Sequence, residues 1–146
     1  MKRLLSLILC LAMVLTFAGC GKSGKNKEPE SSVDVDLTVL SSTMVYSEVY
    51  NMITNPGNYN GKTVKMSGPF ATYHDDATSK DYFACIIQDA TACCSQGIEF
   101  VLAGNYKYPD DYPELGDTIC VAGEFDTYIE GNYTYCTLRN ARLLSE

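Results

Sequence analysis

Tryptophan is absent from this 146-residue chain, histidine occurs once, and basic residues are outnumbered by acidic ones, 11 to 18. Each scarcity excludes something. The acidic excess repels phosphate backbones, and no stretch interleaves aromatic with basic side chains, so nucleic acid is not an expected partner. Any stacking surface for sugar or peptide must come from the eleven tyrosines. Tyr106, Tyr108, Tyr112, Tyr128 and Tyr133 are the candidates, although strand tyrosines are more often packing residues. The lone histidine, His74 in Tyr73-His74-Asp75-Asp76, could serve a cysteine nucleophile only within hydrogen-bond reach of a thiol; it reads as a solvated residue after the first strand. There is no phosphate loop, serine triad or paired-carboxylate spacing. Glycosidase and peptidase readings therefore lack an acid–base pair, and a non-enzymatic protein is expected. Asp110, Asp111, Glu114 and Asp117 lack EF-hand spacing and read as a solvated acidic loop rather than a calcium site.

Long apolar runs are scarce as well. One opens the chain, from Leu4 to Phe17 (LLSLILCLAMVLTF), and it falls short of the roughly 20 residues needed to cross a bilayer. With Lys2 and Arg3 before it and the small pair Ala18-Gly19 after it, residues 1–19 read as a cleaved signal peptide. Ala18-Gly19-Cys20 resembles the lipobox of bacterial lipoproteins, with Phe17 where leucine is usual. The resemblance implies a diacylglycerol thioether on Cys20, cleavage just before it, and attachment to the extracytoplasmic face of the cell membrane; a secreted protein with an unmodified Cys20 is the alternative. Several acyl chains on one residue would supply the multiple anchors that durable attachment requires. Loss of residues 1–19 leaves nine basic residues against 18 acidic ones and takes the net charge from −7 to −9, which suits solubility and weakly favours cationic partners. Residues 20–41 are expected to be the lipidated cysteine and a flexible tether. The stretch Gly21 to Ser32, GKSGKNKEPESS, buries too little apolar surface to offset its ordering entropy and as a coil would span about 20 Å.

The folded domain is expected over residues 42–146. Ser42 or Thr43 can cap a helix running to about Asn55, with Val45, Val49, Met52 and Ile53 as its apolar stripe and Asn55-Pro56-Gly57 as its stop. From Lys62 the period becomes two. Val64, Met66 and Gly68 alternate with polar neighbours in a first strand reaching towards Tyr73. Four more strands follow at Tyr82 to Gln88, Ile98 to Leu102, Thr118 to Tyr128 and Tyr133 to Leu143, the last two joined by a turn at Glu130-Gly131-Asn132. Gly68 and Gly123, inside the first and fourth strands, predict sharp bends. Five strands with two glycine kinks and a long connection after the third resemble an OB-fold, here a five-stranded Greek-key barrel with one N-terminal α-helix. The helix, Tyr59-Asn60-Gly61-Lys62-Thr63-Val64 and Leu115-Gly116-Asp117-Thr118 are similar to uncharacterised bacterial lipoprotein domains of this class. The connection NYKYPDDYPELGD, with two prolines, departs from the helix often found there, and a small open β-sandwich is the competing architecture. Such barrels bind nucleic acids, sugars, peptides and metals, so the fold leaves function open.

Seven cysteines become five once Cys10 departs with the signal and Cys20 takes lipid: Cys85, Cys93, Cys94, Cys120 and Cys136. In the OB order Cys93 and Cys94 sit at the tip of a hairpin, and Cys136, opposite about residue 127, starts a strand parallel to the one after Cys94. That places Cys136 beside the turn, brings in Cys85 only if the turn folds back, and leaves Cys120, opposite about residue 143, as an apolar filler. Three arrangements stay open. One is a structural disulfide from Cys93 or Cys94 to Cys136. Another is a zinc or iron site on thiolates of Cys85, Cys93, Cys94 and Cys136, although CC is not the CxxC of zinc knuckles. The third is a strained, redox-active Cys93-Cys94 pair. The CC turn alone resembles the extracytoplasmic cysteine-bearing domain that accompanies some predicted bacterial permeases. The resulting expectation is a lipid-anchored, cofactor-free binding or accessory domain for a small ligand or an envelope protein; the alternative is an envelope thiol or metal protein built on the CC turn.

Overall fold

The structure, a computed structural model, describes residues 32–145. The expected signal peptide 1–19, Cys20 and the tether as far as residue 31 lie outside them. Among the described residues no helix is long and apolar enough to cross a membrane.

The chain enters through a short strand β1 (Val35–Asp36) and a 3-10 turn (Leu37–Val39), then forms helix α1 (Ser42–Thr54) and a second 3-10 turn (Pro56–Asn58). Strands β2 (Thr63–Asp75), β3 (Lys80–Gln88), β4 (Ser95–Leu102), β5 (Thr118–Glu130) and β6 (Tyr133–Leu144) follow. The five long strands lie where the alternation and turn residues put them, and residues 103–117 form a loop, as the two prolines imply. The sixth strand is a departure: β1 falls inside the segment 20–41 read as tether. Two residues are too few to show a period, yet Asp34 locks them to β2, donating from its amide to the Thr63 carbonyl (2.9 Å) and accepting the Thr63 amide on its carboxylate (2.8 Å). Leu37, just beyond, is fully buried.

Helix α1 starts one residue earlier than a Ser42 cap would place it. Its N-cap is Ser41, and it ends where Asn55 donates back to the Asn51 carbonyl (2.8 Å) with Pro56 next in line. Val49 and Met52 are its buried face, with Val45 and Tyr46 packed beside them. Ile53, expected in that stripe, is 40% exposed, because the helix needs only the i, i+4, i+7 positions to cover the core. Tyr59 clamps the helix to the chain that follows. Its hydroxyl donates to Glu48 Oε1 and accepts from Asn51 Nδ2, both at 2.6 Å, while its ring meets Phe125 edge-on at 5.9 Å.

The sheet order is β1-β2-β3-β4-β6-β5, with β5 pairing to β2 as well. β1–β2 and β4–β6 are parallel and the other pairs antiparallel. β2 makes this possible by changing partner midway: Thr63 to Pro69 pair with β5, and Phe70 to Asp75 with β3. At the changeover Gly68 lets the Ile86 carbonyl approach where a Cβ would stand 2.0 Å from its oxygen, and Pro69 has no amide to leave unpaired. Gly123 does the same for β5 against the Arg139 carbonyl and Leu138, beside the β5–β6 register shift. Phe70, Phe100, Phe125, Met66, Ile98 and Leu138 fill the core. The loop 103–117 docks on it through Tyr112, whose ring stacks on Phe83 at 4.1 Å, and Tyr108, 5.3 Å from Phe83. These two candidate tyrosines are therefore packing residues.

Candidate functional site

Paired residues on neighbouring strands point to the same side of a sheet, so the registers dictate what lines the outer face. Ala71, Ala84, Glu99 and Thr137 form one row across β2, β3, β4 and β6; Tyr73 pairs with Tyr82, and Tyr128 with Tyr135. Two alanines make a low floor between tall tyrosines, and the result is a groove of about 570 Å³. Tyr128 and Tyr135 stack at 5.4 Å on one side, and Tyr73 and Tyr82 meet at 6.3 Å on another. Glu130, at the β5–β6 turn, accepts the Tyr82 hydroxyl on both carboxylate oxygens (2.9 and 2.8 Å) and pairs with Lys80 at 3.3 Å, so that turn is tied to the β2–β3 turn.

Glu99 is the polar centre of this groove. Its Oε2 accepts the Tyr128 hydroxyl at 2.6 Å. Burial pushes its carboxyl up, the Tyr128 hydrogen bond opposes that, and the nearby Glu130 charge adds to it. Hydrogen bonds from the phenols also hold protons on the tyrosines: Tyr82 is pushed up to about 12, first by its bond to Glu130, and Tyr128 is raised by burial and then by Glu99. An acid whose pKa is raised in the folded state favours folding where it is protonated and opposes it where it ionises. The Glu99 contribution to stability should therefore decline as pH rises through and above the ordinary glutamate value of 4.5, against the opposite contribution of carboxyls such as Asp89 that are lowered in the fold. Glu99→Gln should remove that part of the decline, read from urea midpoints at pH 4 and pH 7. An unchanged difference between the two midpoints would sink the assignment.

The cysteines are distributed otherwise than expected. Glu99 aligns with Thr137, so Cys136 is level with Ile98 and lies four residues along from Cys94, about 13 Å at strand rise. A parallel register cannot be read from either strand alone, and the expected Cys93 or Cys94 disulfide to Cys136 is not formed; no disulfide joins any of the five described cysteines. Cys136 does face Thr127, as the hairpin turn predicts, and Cys120 faces Leu144, one residue beyond the expected 143 because of the β5–β6 bulge. Cys85 is not part of the turn either. It is buried beside Ile98, and its thiol is pushed up to about 12 by burial, with a smaller contribution from Cys120, itself buried. Burial, followed by the Glu99 charge, likewise raises Cys136.

Cys93 and Cys94 do sit together in the β3–β4 turn, with their sulfurs 3.6 Å apart, and the residue that joins them is Asp89. Its Oδ2 lies 3.2 Å from Cys93 Sγ. Hydrogen bonds, the Cys93 thiol's first, draw the Asp89 carboxyl below its ordinary range, and Cys94 is raised by its bond to Cys93 and the neighbouring charges. Asp89 escapes sequence reading, since only closure of the turn brings its carboxylate to sulfur.

His74 ends up in β2 with its Nδ1 2.7 Å from Asp81 Oδ1, serving no thiol. In the acidic loop, Asp111 accepts the Lys107 amide and Asp117 the Glu114 amide, which makes these carboxylates turn anchors. Tyr128 alone of the five candidate tyrosines lines the groove; Tyr106 and Tyr133 are exposed elsewhere. Tyr73, Tyr82, Tyr135, Glu99 and Glu130 escape sequence reading, since only the register across five strands assembles them. Comparison with protein-family models, curated proteins and solved structures finds no match for this chain.

Proposed function

We propose that the chain is a lipid-anchored, extracytoplasmic binding domain, not an enzyme, and that its groove receives a small ligand carrying an ammonium group. Anchoring rests on the lipobox-like Ala18-Gly19-Cys20. The barrel reading is supported by the return of β5 onto β2 and by the partner change at Gly68; in OB-type barrels the outer face of the middle strands, between two hairpin turns, is a common binding surface.

The observation that carries the ligand class is Glu99. It is a half-buried carboxylate held in a groove of four tyrosines, and the groups acting on it are its burial, a hydroxyl and another carboxylate, none of them basic. A buried charge is costly until it is paired. A cation entering here would gain Glu99 as its counter-ion and the tyrosine faces as π partners, with Glu130 already held by Lys80 and Tyr82. The acidic net charge of the domain would assist its approach.

Titration of the protein from residue 21 onward with alkyl diamines, neutral monosaccharides and carboxylates, followed by calorimetry and amide chemical shifts, tests this. Diamines should bind in the groove, and Glu99→Gln should weaken them by roughly ten- to a hundredfold, the worth of one hydrogen bond to a charged group. Equal binding of neutral sugars, or diamine binding indifferent to Glu99→Gln, would overturn the reading.

A further inference from the structure

The β3–β4 turn has a separate capability, independent of what the groove holds. We propose that Asp89, Cys93 and Cys94 form a surface site for one thiophilic cation of the zinc type, with the fourth coordination position open.

The Asp89 amide donates to the Cys94 carbonyl (2.9 Å) and the Ala92 amide to the Asp89 carbonyl (3.0 Å), which closes the turn onto itself. Oδ1 of Asp89 then accepts two more amides, from Thr91 at 3.2 Å and Cys93 at 3.0 Å. One carboxylate oxygen is thereby fixed to the backbone, and the other, Oδ2, accepts the Thr91 hydroxyl at 3.1 Å and faces the Cys93 sulfur at 3.2 Å. Ala92, immediately before the thiols, has φ 54°, a left-handed conformation that costs a non-glycine residue about 1–2 kcal/mol. Adjacent residues in an extended strand point to opposite faces; here Cys93 and Cys94 bring both sulfurs to one side.

The spacing of these atoms matches a specific coordination geometry. Two thiolates bound at about 2.3 Å to a tetrahedral zinc ion stand about 3.8 Å apart, and a thiolate and a carboxylate oxygen about 3.5 Å apart. The turn presents 3.6 Å between the sulfurs and 3.2 Å between Cys93 Sγ and Asp89 Oδ2, with all three donor atoms within 4.8 Å of one another. Two of the three edges lie within a few tenths of an ångström of these values, and the third, Cys94 Sγ to the Asp89 carboxylate, is within 4.8 Å, so rotation of exposed side chains would close the set on an ion. The separation is also far outside the roughly 2.05 Å of a disulfide. Two thiolates and one carboxylate suit a borderline-soft ion, whereas an iron–sulfur cluster calls for four thiolates. Cys85 and Cys136, the other two sulfurs of the expected four, lie on β3 and β6 away from the turn. Three protein ligands at an exposed turn describe an exchangeable ion rather than a structural one.

The test uses the reduced protein from residue 21 onward and two probe ions alone, Cd²⁺ followed by thiolate charge-transfer absorption and Co²⁺ by its tetrahedral visible bands. One equivalent should bind with micromolar or tighter affinity. Cys93→Ser or Cys94→Ser should each weaken it at least a hundredfold and Asp89→Asn about tenfold, while Cys136→Ser and Glu99→Gln leave it unchanged. Circular dichroism confirms that each variant folds; Cys93 and Cys94 are exposed, Asp89 and Glu99 are half-buried, and Cys136, which packs against the core, is replaced by the near-isosteric serine. Uptake that survives Cys93→Ser, loss on Cys136→Ser, a stoichiometry other than one, or affinity weaker than about 100 µM would overturn the proposal. Diamine binding in the groove is unaffected by any of these outcomes, so the two readings fail separately.

Discussion

Gly68→Ala should lower the urea midpoint of this domain by about 1–3 M, the largest stability loss expected for any single methyl added to it. The new Cβ would stand 2.0 Å from the Ile86 carbonyl oxygen, 3.1 Å from the carbonyl carbon and 3.4 Å from Cys85 Sγ. Overpacking a side chain typically costs 1–3 kcal/mol because neighbours can rotate away. Here the obstacle is backbone in the strand that lies between β2 and β4, so relief means prising β2 off β3 at the point where β2 changes partner. A cost of about 3 kcal/mol or more follows, against a total of about 5–15 kcal/mol for a domain of this kind. With a urea dependence of about 1–3 kcal/mol/M that is the shift stated. Gly57→Ala is the control. It sits in the Pro56–Asn58 turn with nothing within 4 Å of the added carbon, and its midpoint should stay where it was. A Gly68→Ala midpoint within 0.3 M of wild type would show that β2 and β3 do not approach as described.

Thiol reactivity should divide the cysteines sharply. With a water-soluble aromatic disulfide at pH 8, Cys93 and Cys94 should both be modified far ahead of the buried thiols because both are exposed, Cys94 the more slowly because its bond to Cys93 raises its thiol. Cys85 should react only as the protein unfolds. It has no accessible surface, and its thiol, pushed up to about 12 by burial, yields almost no thiolate at that pH. If global opening is required, an unfolding free energy of at least about 5 kcal/mol slows it by more than about a thousandfold. Mass spectrometry of peptides from timed quenches assigns each site. Native-state modification of Cys85 at a rate comparable with Cys93 would contradict the burial on which the core description rests, whatever the turn binds.

Much of this fold could be read before any coordinates. The shift from helical to alternating period at Lys62, the turn at Glu130-Gly131-Asn132 and the glycines at 68 and 123 are local signals, and each produced the expected element. Local hairpin arithmetic also placed Cys136 across from Thr127. What escaped has one physical origin. β4 and β6 are parallel and joined only through β5, so their register depends on packing of Phe100 against Leu138 rather than on any turn; four residues of slip in that pairing separate Cys136 from the CC turn. The same dependence hides the groove, since Ala71, Ala84 and Glu99 become neighbours only through two registers at once. β1 was missed for a different reason: Val35 and Asp36 carry no period, and only their pairing with Val64 and Lys65, locked by the bonds of Asp34 to Thr63, reveals them.

The double pairing of β5, to β6 and back to β2, has a further effect. Each of the five long strands has a partner on both sides over part of its length. Extended backbone with free amides and carbonyls is what recruits further chains into cross-strand aggregates. Among the described residues the backbone edges left open are those of β1 and of the strand ends beyond these double pairings, so copies of this domain held side by side at high density would have only short stretches through which to stitch together.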